Sequence, residues 1–133
     1  MKTYLPFKYD MAKYNWTLLE DVSFDGKQFI PDLVEFLQFG ESPINGEVMK
    51  QRAKELNAHL GQHHAEYLLE HKDLIPEEWR GKYYLPFPGT VWQASVDNCL
   101  IPCLFWLGAR WCLDFRWLGL RWCVRVRLVG IRK

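Results

Sequence analysis

The run Arg110-Trp111-Cys112-Leu113-Asp114-Phe115-Arg116-Trp117 alternates large apolar residues with polar or small ones at every second position. The run Arg121-Trp122-Cys123-Val124-Arg125-Val126-Arg127-Leu128 repeats the pattern. A period of two puts successive side chains on opposite faces of a strand. The two runs therefore predict adjacent antiparallel strands, with the tryptophan side buried and the arginine side in water.

Upstream of these runs, Lys82-Tyr83-Tyr84-Leu85, Thr90 to Gln93 and Leu100 to Trp106 read as three more strands. Pro88-Gly89 suits a type II turn, where glycine supplies the positive φ. Pro102 removes one ladder donor from the third of these strands, which argues for an edge or a bulge there. Leu107-Gly108-Ala109 turns the chain into Arg110.

Further upstream the period becomes helical. Phe29, Leu33, Phe36 and Leu37 fit one face of a short helix ending by Gly40. Asn45 caps a second helix with Glu47 in its first turn, burying Val48, Met49, Ala53 and Leu56. A third, from Gln62 to His71, buries Ala65, Leu68 and Leu69. Pro76-Glu77-Glu78-Trp79 opens one more helical turn. Residues 1–28 are rich in aromatics without a period and read as irregular. The expectation is one α+β domain: an irregular lead (1–28), a helical part (29–80) and an antiparallel sheet (82–131). The N-terminal helices pack on one face of a C-terminal sheet of about five strands.

With 133 residues, seven Trp, eight Phe and six Tyr, the chain can build a core without disulfides or metals. No stretch is apolar over the roughly 18 residues of a membrane span, and no secretory leader is expected. The location expected is the cytoplasm, with reduced cysteines. Net charge is +1, but residues 1–107 hold ten Lys/Arg against fifteen Asp/Glu, while residues 108–133 hold seven against Asp114 alone. The halves thus carry −5 and +6.

Five arginines, Arg110, Arg116, Arg121, Arg125 and Arg127, fall on the solvent side of the last two strands. Like charges crowded on a sheet face need a counterion, and Asp114 alone cannot supply it. An acidic segment of the same chain or plain solvation would suffice, and a partner is the functional alternative. An acidic protein partner is the first reading; a nucleic acid bound through the same face is the second. A metal- or thiol-dependent enzyme, using His63 or His64 with Cys112 or Cys123, is the third. Its motifs are loose. His59, His63, His64 and His71 lie within thirteen residues, but Gly61 separates His59 from His63. Glu66 and Glu70 could add oxygen ligands one turn from His63 and Glu66 respectively. Cys99 and Cys103 on one strand would lie about 13 Å apart, too far to share a metal. Cys112 and Cys123 could face each other across the last two strands, which would also pair Asp114 with Arg121. No phosphate loop, Gly-x-Ser-x-Gly or dinucleotide fingerprint is present. A non-enzymatic interaction domain without cofactor or metal is the resulting expectation.

Gly40-Glu41-Ser42, Gly46-Glu47-Val48-Met49, Arg52-Ala53-Lys54-Glu55-Leu56, Leu60-Gly61-Gln62 and Ala65-Glu66-Tyr67-Leu68-Leu69-Glu70-His71 form a distinctive series. It continues with Ile75-Pro76, Phe87-Pro88-Gly89-Thr90-Val91-Trp92 and Arg110-Trp111. Over about residues 33–133 this resembles a group of small proteins of candidate-phylum bacteria that carry no assigned activity. The resemblance implies a bacterial cytosolic origin and no catalytic residues. Where that group shows turns rich in aspartate and asparagine before its last strand, this chain has Leu118-Gly119-Leu120-Arg121.

Overall fold

A computed structural model describes residues 6–41 and 43–132. Strands β1 (Thr17–Glu20), β2 (Pro31–Val34) and β3 (Ile44–Asn45) precede the helices α1 (Gly46–Glu55) and α2 (Gln62–Glu70). Six strands follow: β4 (Leu85–Pro86), β5 (Val91–Ser95), β6 (Asn98–Leu107), β7 (Arg110–Trp117), β8 (Arg121–Trp122) and β9 (Leu128–Ile131). The class is α+β, with the helices in mid-chain rather than N-terminal. None of the described helices is long and apolar enough to cross a membrane.

Strand β6 is the centre of the five-stranded sheet. Along one edge it pairs with β7 over eight residues, from Leu100↔Trp117 to Leu107↔Arg110. Its other edge is shared: β5 takes Asn98 to Leu100, and β4 takes Cys103 and Leu104. Pro102 sits between these two partners. It is inside a central strand, but its missing N–H points into the junction, so the ladder loses nothing. Its carbonyl, on the same edge, accepts from the Phe87 N–H at 2.8 Å. Strand β1 extends the sheet beyond β5.

Both faces of this sheet are covered. On one, α2 packs Ala65 and Leu68 against Leu85, Leu104 and Trp111, with Ile75, Trp79 and Phe87. On the other, α1 contributes Met49 and Ala53 to a second core with Ile101, Cys103, Trp122 and Leu128. Asn45 caps α1 as expected, its Oδ1 accepting from the Val48 N–H at 3.0 Å. Val48 and Leu56, expected in the core, stay largely exposed. Gly46 is required here, because a Cβ would lie 1.8 Å from the Leu118 carbonyl oxygen.

Several expectations change. The segment with Phe29, Leu33, Phe36 and Leu37 is not a helix; its centre is β2, paired with β9 from Pro31↔Ile131 to Val34↔Leu128. Phe29 belongs to the first core and Phe36 to the second. An extended chain covers the roughly 23 Å between such positions, whereas a helix rises only about 10 Å over seven residues. The lead is not wholly irregular, since it forms a 3-10 turn at Met11–Tyr14 and then β1. Its first five residues lie outside the described set. Gly89 does not adopt a positive φ. It is needed instead for close approach, its N–H donating to the Leu60 carbonyl at 2.8 Å.

The β6–β7 turn is the two-residue loop Gly108-Ala109, with φ of +59° and +69°. Two successive positive φ values match the right-handed twist of the hairpin strands. Ala109 bears a left-handed conformation that glycine adopts freely. Ala109→Gly should therefore raise stability by about 0.5–1 kcal/mol, read as a higher urea midpoint; a lower midpoint would contradict this turn geometry.

Candidate functional site

The two alternating runs do not pair with each other. Strand β7 is held by β6, while Arg121 and Trp122 pair with Ile44 and Asn45 on β3. The chain then turns, with the Val126 N–H on the Cys123 carbonyl, before β9 returns to β2. The physical cause is the second core. Trp122 is buried against α1, and its indole N–H donates to the Leu118 carbonyl at 3.2 Å. Val124, expected inside, is 66% exposed because the alternation breaks in this turn.

The five arginines consequently share no single face. Arg110 stands exposed at the hairpin end of β7. Arg116 lies half-buried over the Tyr84 ring, 4.3 Å from its centroid, its Nε buried without an acceptor among the described residues. Arg121 donates to the Pro43 carbonyl at 3.0 Å, and Arg125 reaches the Gly81 carbonyl at 3.5 Å. Among the described residues Arg127 is the one of the five that meets a carboxylate, Glu35 at 3.2 Å, and it also crosses the Tyr83 ring. The polar side of β7 is not a solvent face either, since Ile101 and Cys103 of β6 share it and are fully buried.

The cysteines and histidines are scattered likewise. Cys112 is opposite Phe105, not Cys123, and Asp114 is opposite Cys103, not Arg121. Burial pushes the Cys103 thiol well above its ordinary range. His63 stacks on Phe7 and lies 3.8 Å from Asp21; His71 stacks on Tyr67. His59 is partly buried, and burial lowers its pKa. Among the described residues no group of three or more His, Cys, Asp or Glu side chains could hold a metal ion.

A cleft of about 360 Å³ runs between α2 and the first half of β7. Glu66, Leu69 and Glu70 border it on the helix side and Arg110 to Leu113 on the strand side, with Lys8, Tyr9 and Lys72 at its rim. Its carboxylates are already engaged. Glu66 is buried and accepts the Lys8 N–H at 3.1 Å, the Tyr9 N–H at 3.0 Å and Gln62 Nε2 at 3.0 Å. Gln62 in turn accepts from the Trp92 indole at 2.8 Å, and its backbone N–H meets Thr90 Oγ1, which donates to Asp21. Glu70 pairs with Lys8, and that contact lowers the carboxyl pKa and raises the ammonium's. Lys72 and Arg110 meet no carboxylate among the described residues, so the rim keeps a surplus of positive charge. The Trp111 indole N–H, buried in the wall, has no acceptor among them.

The strand wall is an open edge. Pro102 directs its polar groups away from β7, so its partner Phe115 is a non-hydrogen-bonded position. The Leu118 N–H meets the Cys99 carbonyl at 2.7 Å, which sets the same alternation. Arg110, Cys112, Asp114 and Arg116 therefore bond to β6, while the backbone groups of Trp111, Leu113 and Phe115 point outward. These outward groups have no backbone partner among the described residues. The Phe115 N–H is taken by the neighbouring Asp114 Oδ1 at 2.7 Å.

Of the sequence candidates, Arg110, Cys112 and the two possible oxygen donors Glu66 and Glu70 line this cleft, while the other four arginines and the histidines do not. The Gln62–Glu66 network was missed, although Gln62, Ala65, Glu66 and Leu69 have i, i+3, i+4, i+7 spacing. That spacing places two polar side chains on the buried stripe of α2. His64 closes the network from behind, packed on Phe24 and Phe29 with Nδ1 accepting from the Gly61 N–H. Burial lowers its pKa from 6.5 to about 4. The unfolded chain therefore binds more protons than the folded one between these values. The stability that His64 contributes should be complete above pH 6.5 and be lost on acidification through that window, about 3 kcal/mol in all. Urea titrations at several pH values check this, and His64→Gln should flatten the slope; an unaltered slope would contradict the assignment.

No protein family, curated protein or solved structure matches the chain in sequence or fold.

Proposed function

We propose that the chain is a cytosolic interaction domain for an acidic protein partner, with Arg110 at the centre of the contact. The observation that carries this reading is the charge of the cleft rim, where the carboxylates are consumed internally and Lys72 and Arg110 are not. Unneutralised cations beside a partly apolar cleft attract carboxylates and set the orientation of whatever carries them. The four free cysteines fit a reducing compartment.

Nucleic acid is the competing partner for the same cations. Its binding would lose affinity steeply with salt as counterions return to the phosphates. The dispersal of the arginines weakens that reading, because a phosphate backbone is tracked by a continuous basic groove.

Fluorescence anisotropy with labelled polyglutamate and with a single-stranded oligothymidine decides between them. Polyglutamate should bind the native protein, and the double variant Lys72→Glu/Arg110→Glu should lose at least about tenfold in affinity. Undiminished binding by that variant, or a clear preference for the oligothymidine, would overturn the acidic-partner reading.

A further inference from the structure

From the geometry of β7 we infer that the partner binds as an added β-strand. It lies along the open edge from Trp111 to Phe115, as an extended segment that alternates acidic and apolar residues. This rests on the acidic-partner reading and specifies how the contact is made.

Three observations converge. The first is the edge. Strand β7 is eight residues long and keeps one unbroken register with β6, so its outward N–H and C=O groups lie on a regular ladder. Natural sheets blunt such edges, because an unprotected one recruits another chain. The opposite edge strand, β1, shows that protection: four residues with a register break between Leu18 and Glu20. Strand β7 has no such break, and its outward Leu113 N–H is uncapped among the described residues.

The second is the cleft, which places α2 beside this edge and leaves room along Trp111 to Leu113. A strand entering there gains main-chain bonds from the edge and a pocket for alternate side chains, which is how strand addition combines affinity with selectivity. The third is the charge pattern. A strand added to β7 alternates its side chains between two faces. On one face the neighbours are Leu113 and Phe115, both partly buried and apolar. Phe115 is already met edge-on by Trp16 at 5.7 Å, so Leu113 is the apolar residue left for the partner. On the other they are Arg110, Cys112, Asp114 and Arg116, two cations to one exposed carboxylate. Neither arginine meets a carboxylate among the described residues, so the partner's carboxylates belong opposite the arginines at the two ends. The complementary segment therefore carries apolar residues at one parity and carboxylates at the other.

The outward direction of the Leu113 N–H supplies the test. Leu113→Pro removes that donor and leaves the β6 ladder intact, and proline is tolerated at such edge positions. Leu113→Ala truncates the side chain but keeps the donor. Two labelled octapeptides of equal composition serve as probes, one alternating glutamate and valine, the other with its glutamates in one block. The alternating peptide should bind native protein and Leu113→Ala similarly, and Leu113→Pro at least about tenfold more weakly. The block peptide should bind native protein less tightly, a comparison that needs no variant. Equal affinities of the two peptides, no binding of either, or equal affinities of the two Leu113 variants would overturn strand addition. If polyglutamate binding still depends on Lys72 and Arg110 in that event, the acidic-partner reading survives alone.

Discussion

A ten-residue strand in the middle of a small domain has two faces to bury and two edges to bond, and β6 is such a strand. Its inward residues Ile101, Cys103 and Leu104 are fully buried, and they alternate between the two cores. A sheet buried on both faces needs covering layers from both sides, which is why each helix takes one face. The tight Gly108-Ala109 turn folds β7 back along the whole of one edge. The other edge is filled in two pieces, and Pro102 occupies the joint where no donor is called for. Once β6 is satisfied, the remaining short ladders, β2 with β9 and β3 with β8, tie the ends of the chain across the second core.

The same arrangement creates the site. Because β7 spends its even-numbered backbone groups on β6, its odd-numbered ones are turned outward as a set. The helix above that edge is held in place by a buried polar network rather than by packing alone. Glu66 accepts two backbone donors from the N-terminal segment, and Gln62 bridges Glu66 to the Trp92 indole. A buried carboxylate left without those donors would be costly, so the segment Lys8-Tyr9 and α2 hold each other. The cleft wall is thereby rigid, and its acidic groups are neutralised from within. What the rim offers outward is positive charge beside an unfilled ladder.

Much of the architecture was legible in the sequence, for identifiable reasons. The Asn45 cap, the buried Ala65 and Leu68 and the β6–β7 turn all depend on local spacing, and local spacing survives into the fold. The errors concern long-range partners. Phe29, Leu33, Phe36 and Leu37 carry a helical spacing, yet the segment between them pairs with a strand almost a hundred residues downstream. The second alternating run matches a strand over eight residues, but the burial of Trp122 against α1 bends it away from β7. For the arginines the alternation indicated which side of β7 each occupies, and nothing local could reveal that Tyr84 covers Arg116 or that Glu35 reaches Arg127. The open edge was beyond the sequence altogether, since it depends on which neighbour β7 keeps.

Everything assigned to this site depends on one alternation, with the Cys112 and Asp114 amides turned into the sheet and the Leu113 amide turned out. Residue-resolved hydrogen exchange of the free protein measures it directly. Slow exchange at Cys112 and Asp114 with fast exchange at Leu113 is the result this structure requires. Equal protection at all three would mean that the edge is already occupied, and slow exchange at Leu113 with fast exchange at Cys112 and Asp114 would mean that the register is shifted by one residue; either would contradict the account.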